Sequence, residues 1–180
     1  MPGKLIGLMG APGAGKTTCA AWLFAQMRIS GLKCELAFEF AKDLFWDDSN
    51  AWKDQLYVFA NQWRMIDRVL SRTDYVVCDS PPLLSLFYNR PHTDAFINLV
   101  LEKCRQFDNS FYLLKRTVPY DAVGRRESET ESDALHDEIA LWLDYHEVPY
   151  TMVNSNLSGW NTILRSILDA NRNERDRVQA

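Results

Sequence analysis

The sequence predicts an α/β fold of three layers, with helices on both faces of a five-stranded parallel sheet. Three observations lead there. Apolar runs of strand character alternate with segments whose apolar residues return at helical spacing, the pattern of right-handed β–α–β crossovers. The 180 residues are 47% apolar and 24% charged, enough for one domain around one core. No internal repeat, linker or low-complexity tract divides them. The expectation is a single domain over residues 1–180.

Each element has its own signal. Lys4 to Met9 is an apolar first strand that runs into glycine-rich sequence. Lys16 to Ile29 reads as a helix, stopped by Ser30-Gly31. Cys34 to Phe40 is the second strand. Asp47, Asp48, Ser49 and Asn50 mark a turn and the cap of the next helix. There Trp52, Leu56, Phe59, Trp63, Ile66 and Leu70 alternate spacings that place them on one core-facing stripe. Tyr75 to Cys78 is a buried strand ending at Asp79, and Ser80-Pro81-Pro82 breaks the chain after it. Thr93 to Phe107 is a helix, and Ser110 to Leu114 is the fourth strand. Residues 116–131 are polar and charged and read as a loop. Thr130 with Asp133 resembles a capping box for the helix carrying Leu135, Ile139, Trp142 and Leu143. Tyr150 to Val153 is the fifth strand and Trp160 to Ala170 the last helix. The charged residues 171–180 are expected to fray.

Composition narrows the function classes. A formal charge of -4 argues against a surface built mainly for nucleic acid, though a local basic groove is compatible with it. Cys19, Cys34, Cys78 and Cys104 form no C-x-x-C pair, which favours buried thiols over disulfides or zinc. The chain shows no signal peptide and no membrane-length apolar run. The expectation is a cytoplasmic protein with no membrane partner.

The strongest motif is Gly10-Ala11-Pro12-Gly13-Ala14-Gly15-Lys16-Thr17, a match to G-x-x-x-x-G-K-[ST], followed by Thr18. Glycines let backbone N–H groups turn inward around phosphate oxygens, and the following helix adds its positive end. Lys16 is placed to reach the β and γ phosphates, and the Thr17 hydroxyl to coordinate Mg²⁺. The motif lies between a predicted strand and a predicted helix, as that mechanism requires. ATP with Mg²⁺ is the implied ligand.

Such sites need a carboxylate near the metal, on a neighbouring strand end. Asp79 ends the run Tyr75-Val76-Val77-Cys78 and could hold Mg²⁺ through water or accept a proton from an attacking hydroxyl. Glu39, near the end of the second strand, is the other candidate general base. The two could exchange roles. After the fourth strand, Lys115, Arg116, Arg125 and Arg126 flank a polar segment that could close as a lid and neutralise the transferring phosphoryl group.

The phosphate loop, Glu39-Phe40-Ala41-Lys42, Asp79-Ser80-Pro81 and Gly124-Arg125-Arg126-x-x-Glu129 occur in that order. Together they resemble the nucleoside and nucleotide kinase superfamily of P-loop proteins. The nearest likeness is to small ATPases related to ribosylnicotinamide kinase, many of them encoded by bacteriophages. The resemblance implies a P-loop kinase fold with a short basic lid over about residues 116–131. It implies that Gly10 to Thr18 bind ATP, that Glu39 and Lys42 handle the acceptor, and that Arg116 and Arg125 are lid arginines. Lys42 stands where relatives often have Arg. Gln62 resembles a glutamine that reads a base edge in deoxynucleoside kinases. The Asp-Arg and Glu-Arg-Ser turns of thymidylate and deoxynucleoside kinases are absent, since Ser80-Pro81-Pro82 follows Asp79.

The leading expectation is an ATP-dependent phosphotransferase acting on a nucleoside, nucleotide or modified base. One variant is a hydroxymethylated pyrimidine within phage DNA, reached in single strands or flipped out. Several of Phe38, Phe40, Phe45, Trp46, Trp52 and Tyr57 could stack on a base. The alternative is a P-loop ATPase or nucleotide-sensing switch acting on a protein partner. The guanine-binding N-K-x-D is absent, which argues against a GTPase.

Overall fold

The computed structural model describes residues 3–47, 49–123 and 127–179. Five parallel strands lie in the order β2-β3-β1-β4-β5: β1 Lys4–Met9, β2 Cys34–Ala37, β3 Tyr75–Cys78, β4 Asp108–Lys115 and β5 Thr151–Asn154. β1 is central, with Lys4 opposite Tyr75 on one side and Asp108 on the other. It and β3 are almost wholly buried, because a parallel sheet covered on both faces needs apolar residues at consecutive positions.

Alternation along β1 divides the core. Ile6 and Leu8 face a layer made by α1 (Lys16–Ile29) and α6 (Leu157–Gln179), through Leu23, Met27, Ile163 and Ile167. Leu5 and Met9 face the layer of α3 (Gln55–Leu70), α4 (Asp94–Arg105) and α5 (Glu129–Tyr145), through Phe59, Ile66, Val100 and Ile139. The three-layer α/β/α fold is as the strand–helix alternation predicts. All four cysteines are free and buried.

Four departures from the sequence reading have physical causes. β2 stops at Ala37 instead of reaching Phe40, and Phe40–Trp46, to which the sequence reading assigned no element beyond Phe40, forms a short helix, α2. Its Phe40 N–H, an orphan of the first turn, donates to the Gln62 side chain 2.8 Å away. The partner that satisfies this helix is distant in sequence. The long stripe is interrupted as well. Trp52 lies in a separate 3-10 turn, Asn50–Lys53, and Asp54 caps α3 by accepting from the Leu56 and Tyr57 N–H groups. Leu56 is exposed, while Phe59, Ile66 and Leu70 face the core and Trp63 stacks on Phe107. Ser49 caps the 3-10 turn, and Asp48 lies outside the described residues.

The capping box of α5 is Ser128 with Glu131, not Thr130 with Asp133, so the helix starts earlier than the sequence reading puts it. The last helix runs from Leu157 to Gln179, through the stretch expected to fray. Arg172 stands three residues after Asp169 and four before Asp176, a spacing of opposite charges that supports an exposed helix. No helix among the described residues is long and apolar enough to cross a membrane.

Candidate functional site

The C-terminal ends of four adjacent strands converge on one edge, where ligands of parallel sheets gather. β1 leads into the phosphate loop, β2 toward Glu39, β3 to Asp79 and β4 to Arg116. The loop's glycines are dictated by space. Gly10 has φ +144°, and a Cβ there would lie 2.9 Å from the Leu114 carbonyl oxygen. Gly15 has φ +81°, and a Cβ would lie 2.7 Å from Ser155 Oγ. Lys16 Nζ donates to the Gly10 oxygen at 2.8 Å and the Ala11 oxygen at 3.2 Å, so the ammonium sits at the loop itself.

Asp79 is 1% exposed. Burial pushes its carboxyl up, while the Thr17 hydroxyl bound to it, Lys16 and Lys42 pull it back. Its Oδ1 has no hydrogen-bond partner among the described residues. A buried carboxylate oxygen left over beside a phosphate-loop threonine fits a divalent cation, held directly or through water. No cluster of three His, Cys, Asp or Glu suited to a metal occurs among the described residues, so such an ion would be held largely by phosphates and water.

Glu39 stands at the junction of β2 and α2 and faces the cleft. Burial raises its carboxyl pKa; Lys16 lowers it and Asp79 raises it further. It is held toward its protonated form more than a surface Glu, the condition that brings a general base nearer to neutral pH.

A continuous cleft of about 840 Å³ joins the phosphate loop to a second compartment. Phe45 and Trp46 come from α2, Trp52 from the 3-10 turn, and Tyr88 and Arg90 from the loop before α4. Leu135 and Glu138 come from α5. Trp52 is fixed through its carbonyl, which accepts from Gln55 Nε2 at 2.9 Å and Asn89 Nδ2 at 3.1 Å. The Tyr88 phenol is pushed up by burial and by the nearby Glu39 and Glu127. Arg90 forks onto Glu138 at the far end, one arm at 2.8 Å.

The expected site residues therefore divide. Pro12 to Thr18 (apart from Ala14), Glu39 and Lys42 line the cleft, and Asp79 lies against Thr17 behind it. Gln62 also lines it, but its amide is committed to main chain. Oε1 accepts from Phe40 N at 2.8 Å and Nε2 donates to the Phe38 oxygen at 3.0 Å. It is 3% exposed and braces α2 instead of presenting a free edge to a base. Arg116 is bound by Glu129 and Asp133 of α5. Arg125 and Arg126 lie outside the described residues. Tyr88, Arg90, Glu127, Ser132 and Glu138 carry no motif signal and enter the site only through folding.

This fold and this site define a nucleotide-binding P-loop domain of ATPase or kinase type. Comparison with protein families matches residues 5–158 to the family described as AAA domain. The match covers most of the chain, and the chain belongs to that family. No curated protein matches it.

Proposed function

We propose that the chain is an ATP-dependent phosphotransferase whose acceptor is a small hydroxyl-bearing compound with a planar ring. One observation carries the reading: the cleft continues past the phosphate loop into an aromatic compartment, with Glu39 at the junction. Hydrolysis alone requires no second compartment beside the γ-phosphate. Transfer to an organic hydroxyl does, because both reactants must be aligned and water excluded.

Roles follow from position. Backbone N–H groups of the loop and the start of α1 bind the phosphates, and Lys16 stabilises charge on the transferring group. Thr17 and Asp79 would hold Mg²⁺, which supplies charge neutralisation between the phosphates when bound. Glu39 accepts the proton of the acceptor hydroxyl. Trp46, Trp52 and Tyr88 supply ring faces for stacking.

Charge selects among the acceptors. The described walls of the second compartment carry Glu39 and Glu127 against Lys42, while Arg90 and Glu138 neutralise one another in an ion pair. A nucleoside or free modified base suits such walls better than a nucleotide or DNA, whose phosphates would face carboxylates. The resemblance to ribosylnicotinamide kinase-related proteins points the same way. The AAA domain match favours a second reading, an ATPase or switch working on a protein partner.

γ-Labelled ATP with Mg²⁺ is incubated with nucleosides, nucleoside monophosphates, ribosylnicotinamide, and DNA with and without hydroxymethylated bases. Label on a nucleoside, lost in Lys16→Ala, is the expected result. Label appearing only as free phosphate against every acceptor would overturn the proposal in favour of the ATPase.

A further inference from the structure

We infer that Arg116 is a positioning residue, which fixes the phosphate loop through α5 without touching the phosphates. Its terminal nitrogens donate to Glu129 at 2.6 Å and Asp133 at 2.5 Å, one helical turn apart on α5. Its guanidinium lies 5.4 Å from the centre of the Tyr120 ring. A planar fork on two carboxylates sets both the height and the rotation of the helix, which a point charge would not do.

The turn gripped in this way is the one that holds the loop. Ser132, between the two carboxylates in sequence, is 2% exposed, and its Oγ donates to the Pro12 oxygen at 2.6 Å. The main chain around Arg116 supports the loop's other flank. Ser155 N donates to the Lys115 oxygen at 2.8 Å, and Thr117 Oγ1 donates to the Ser155 oxygen at 2.7 Å. Ser155 Oγ lies 2.7 Å from where a Cβ on Gly15 would stand, close enough to exclude one. The loop is bracketed at Pro12 and at Gly15, and residues 115–117 join the two supports. A loop whose N–H groups are already turned inward loses less freedom when phosphates bind. The inference rests on phosphate binding at the loop and is independent of the acceptor.

The test is calorimetric titration of the full chain with ATP and Mg²⁺, alongside steady-state ATP turnover. The variants are Arg116→Gln, the pair Glu129→Gln with Asp133→Asn, the three changes combined, and Ser132→Ala. Arg116→Gln and the acid pair are each expected to weaken ATP affinity about tenfold, and the combination no further, because they break one linkage. KM for ATP rises while kcat at saturating ATP stays within about twofold, the signature of lost binding shared by ground and transition states. Wild-type affinity in the acid pair would overturn the inference, as would multiplicative losses in the combination. A fall in kcat at unchanged ATP affinity in Arg116→Gln would instead put the guanidinium on the transferring phosphoryl group. Should Arg116→Gln fail to fold, Ser132→Ala carries the same expectation, and wild-type affinity there is equally fatal.

Discussion

The two halves of the cleft are built by opposite means. The phosphate half is one continuous segment, residues 10–18, whose working groups are mostly backbone N–H and whose geometry is enforced by glycines with no room for a Cβ. The second half is assembled from α2, the 3-10 turn at Asn50–Lys53, the loop at Tyr88–Arg90 and α5, and it works through side chains. Part of its rim is open: Trp46 lines the cleft and is still 64% exposed. A backbone site tolerates sequence change poorly but binds one chemical group wherever it occurs. A side-chain site built from separate segments can be retuned at single positions, so on the proposed function it is where selectivity for an acceptor would reside.

The sharpest break of that contrast is Lys16→Ala. If the phosphate half supplies the catalytic charge stabilisation, turnover falls on the order of 100- to 1000-fold with every acceptor. Turnover within a few-fold of wild type would remove the phosphate half from the chemistry.

Glu39→Gln and Asp79→Asn separate the junction from the metal side. As the proposed general base Glu39 would act deprotonated, and burial raises its carboxyl pKa. The acid limb of the pH–rate profile for transfer should therefore lie above the ordinary Glu value of about 4.3. Glu39→Gln should cost transfer about 100-fold or more and abolish that limb, yet leave ATP binding intact. An unchanged limb in the variant would assign it to another group, with Asp79 first in line.

Asp79→Asn should lower turnover by a comparable factor while raising stability. The folded-state pKa of Asp79 lies above its unfolded value. Its stability contribution is thus present below the unfolded pKa and is lost as pH rises through the folded one. The variant should melt higher than the parent at about pH 8 and equally at about pH 3, since its Asn carries no such penalty. A lower melting point at the higher pH would mean that the Thr17 hydrogen bond outweighs desolvation.

Smaller effects test the second half. Trp46→Ala and Trp52→Ala should each raise KM for the acceptor about tenfold or less and leave KM for ATP unchanged, as expected of a stacking wall. Equal effects on both KM values would make the two halves one unit. Gln62→Ala should destabilise the fold by about 1–3 kcal/mol, because it strands the Phe38 oxygen and the Phe40 N–H. A loss of acceptor selectivity without loss of stability would restore Gln62 to the reading of a base.

The same contrast explains what was legible beforehand. The strands, α1 and the phosphate loop are local patterns, each specified by residues adjacent in sequence, and their bounds shift by only a few residues on folding. Asp79 was legible because it ends an apolar strand run. The aromatic stretch from Phe38 to Tyr57 reads as a strand end, a turn and the start of a helix, and nothing local marks Phe40–Trp46 as a helix; its first N–H is satisfied only when α3 brings Gln62 alongside. Arg116 is legible as a cation after a strand, but its partners Glu129 and Asp133 become neighbours only once α5 packs beside β4.

By itself, then, the sequence determined the layer order, the phosphate loop and the two candidate carboxylates, because spacing and backbone chemistry act over a few residues. Tertiary structure alone decided which groups meet: that Gln62 braces instead of reads, that Arg116 faces carboxylates, that Ser132 rests on Pro12, and that Trp46, Trp52 and Tyr88 line the same cleft. Those pairings join residues far apart along the chain, and only packing of the helices on the sheet brings them within hydrogen-bonding or stacking range.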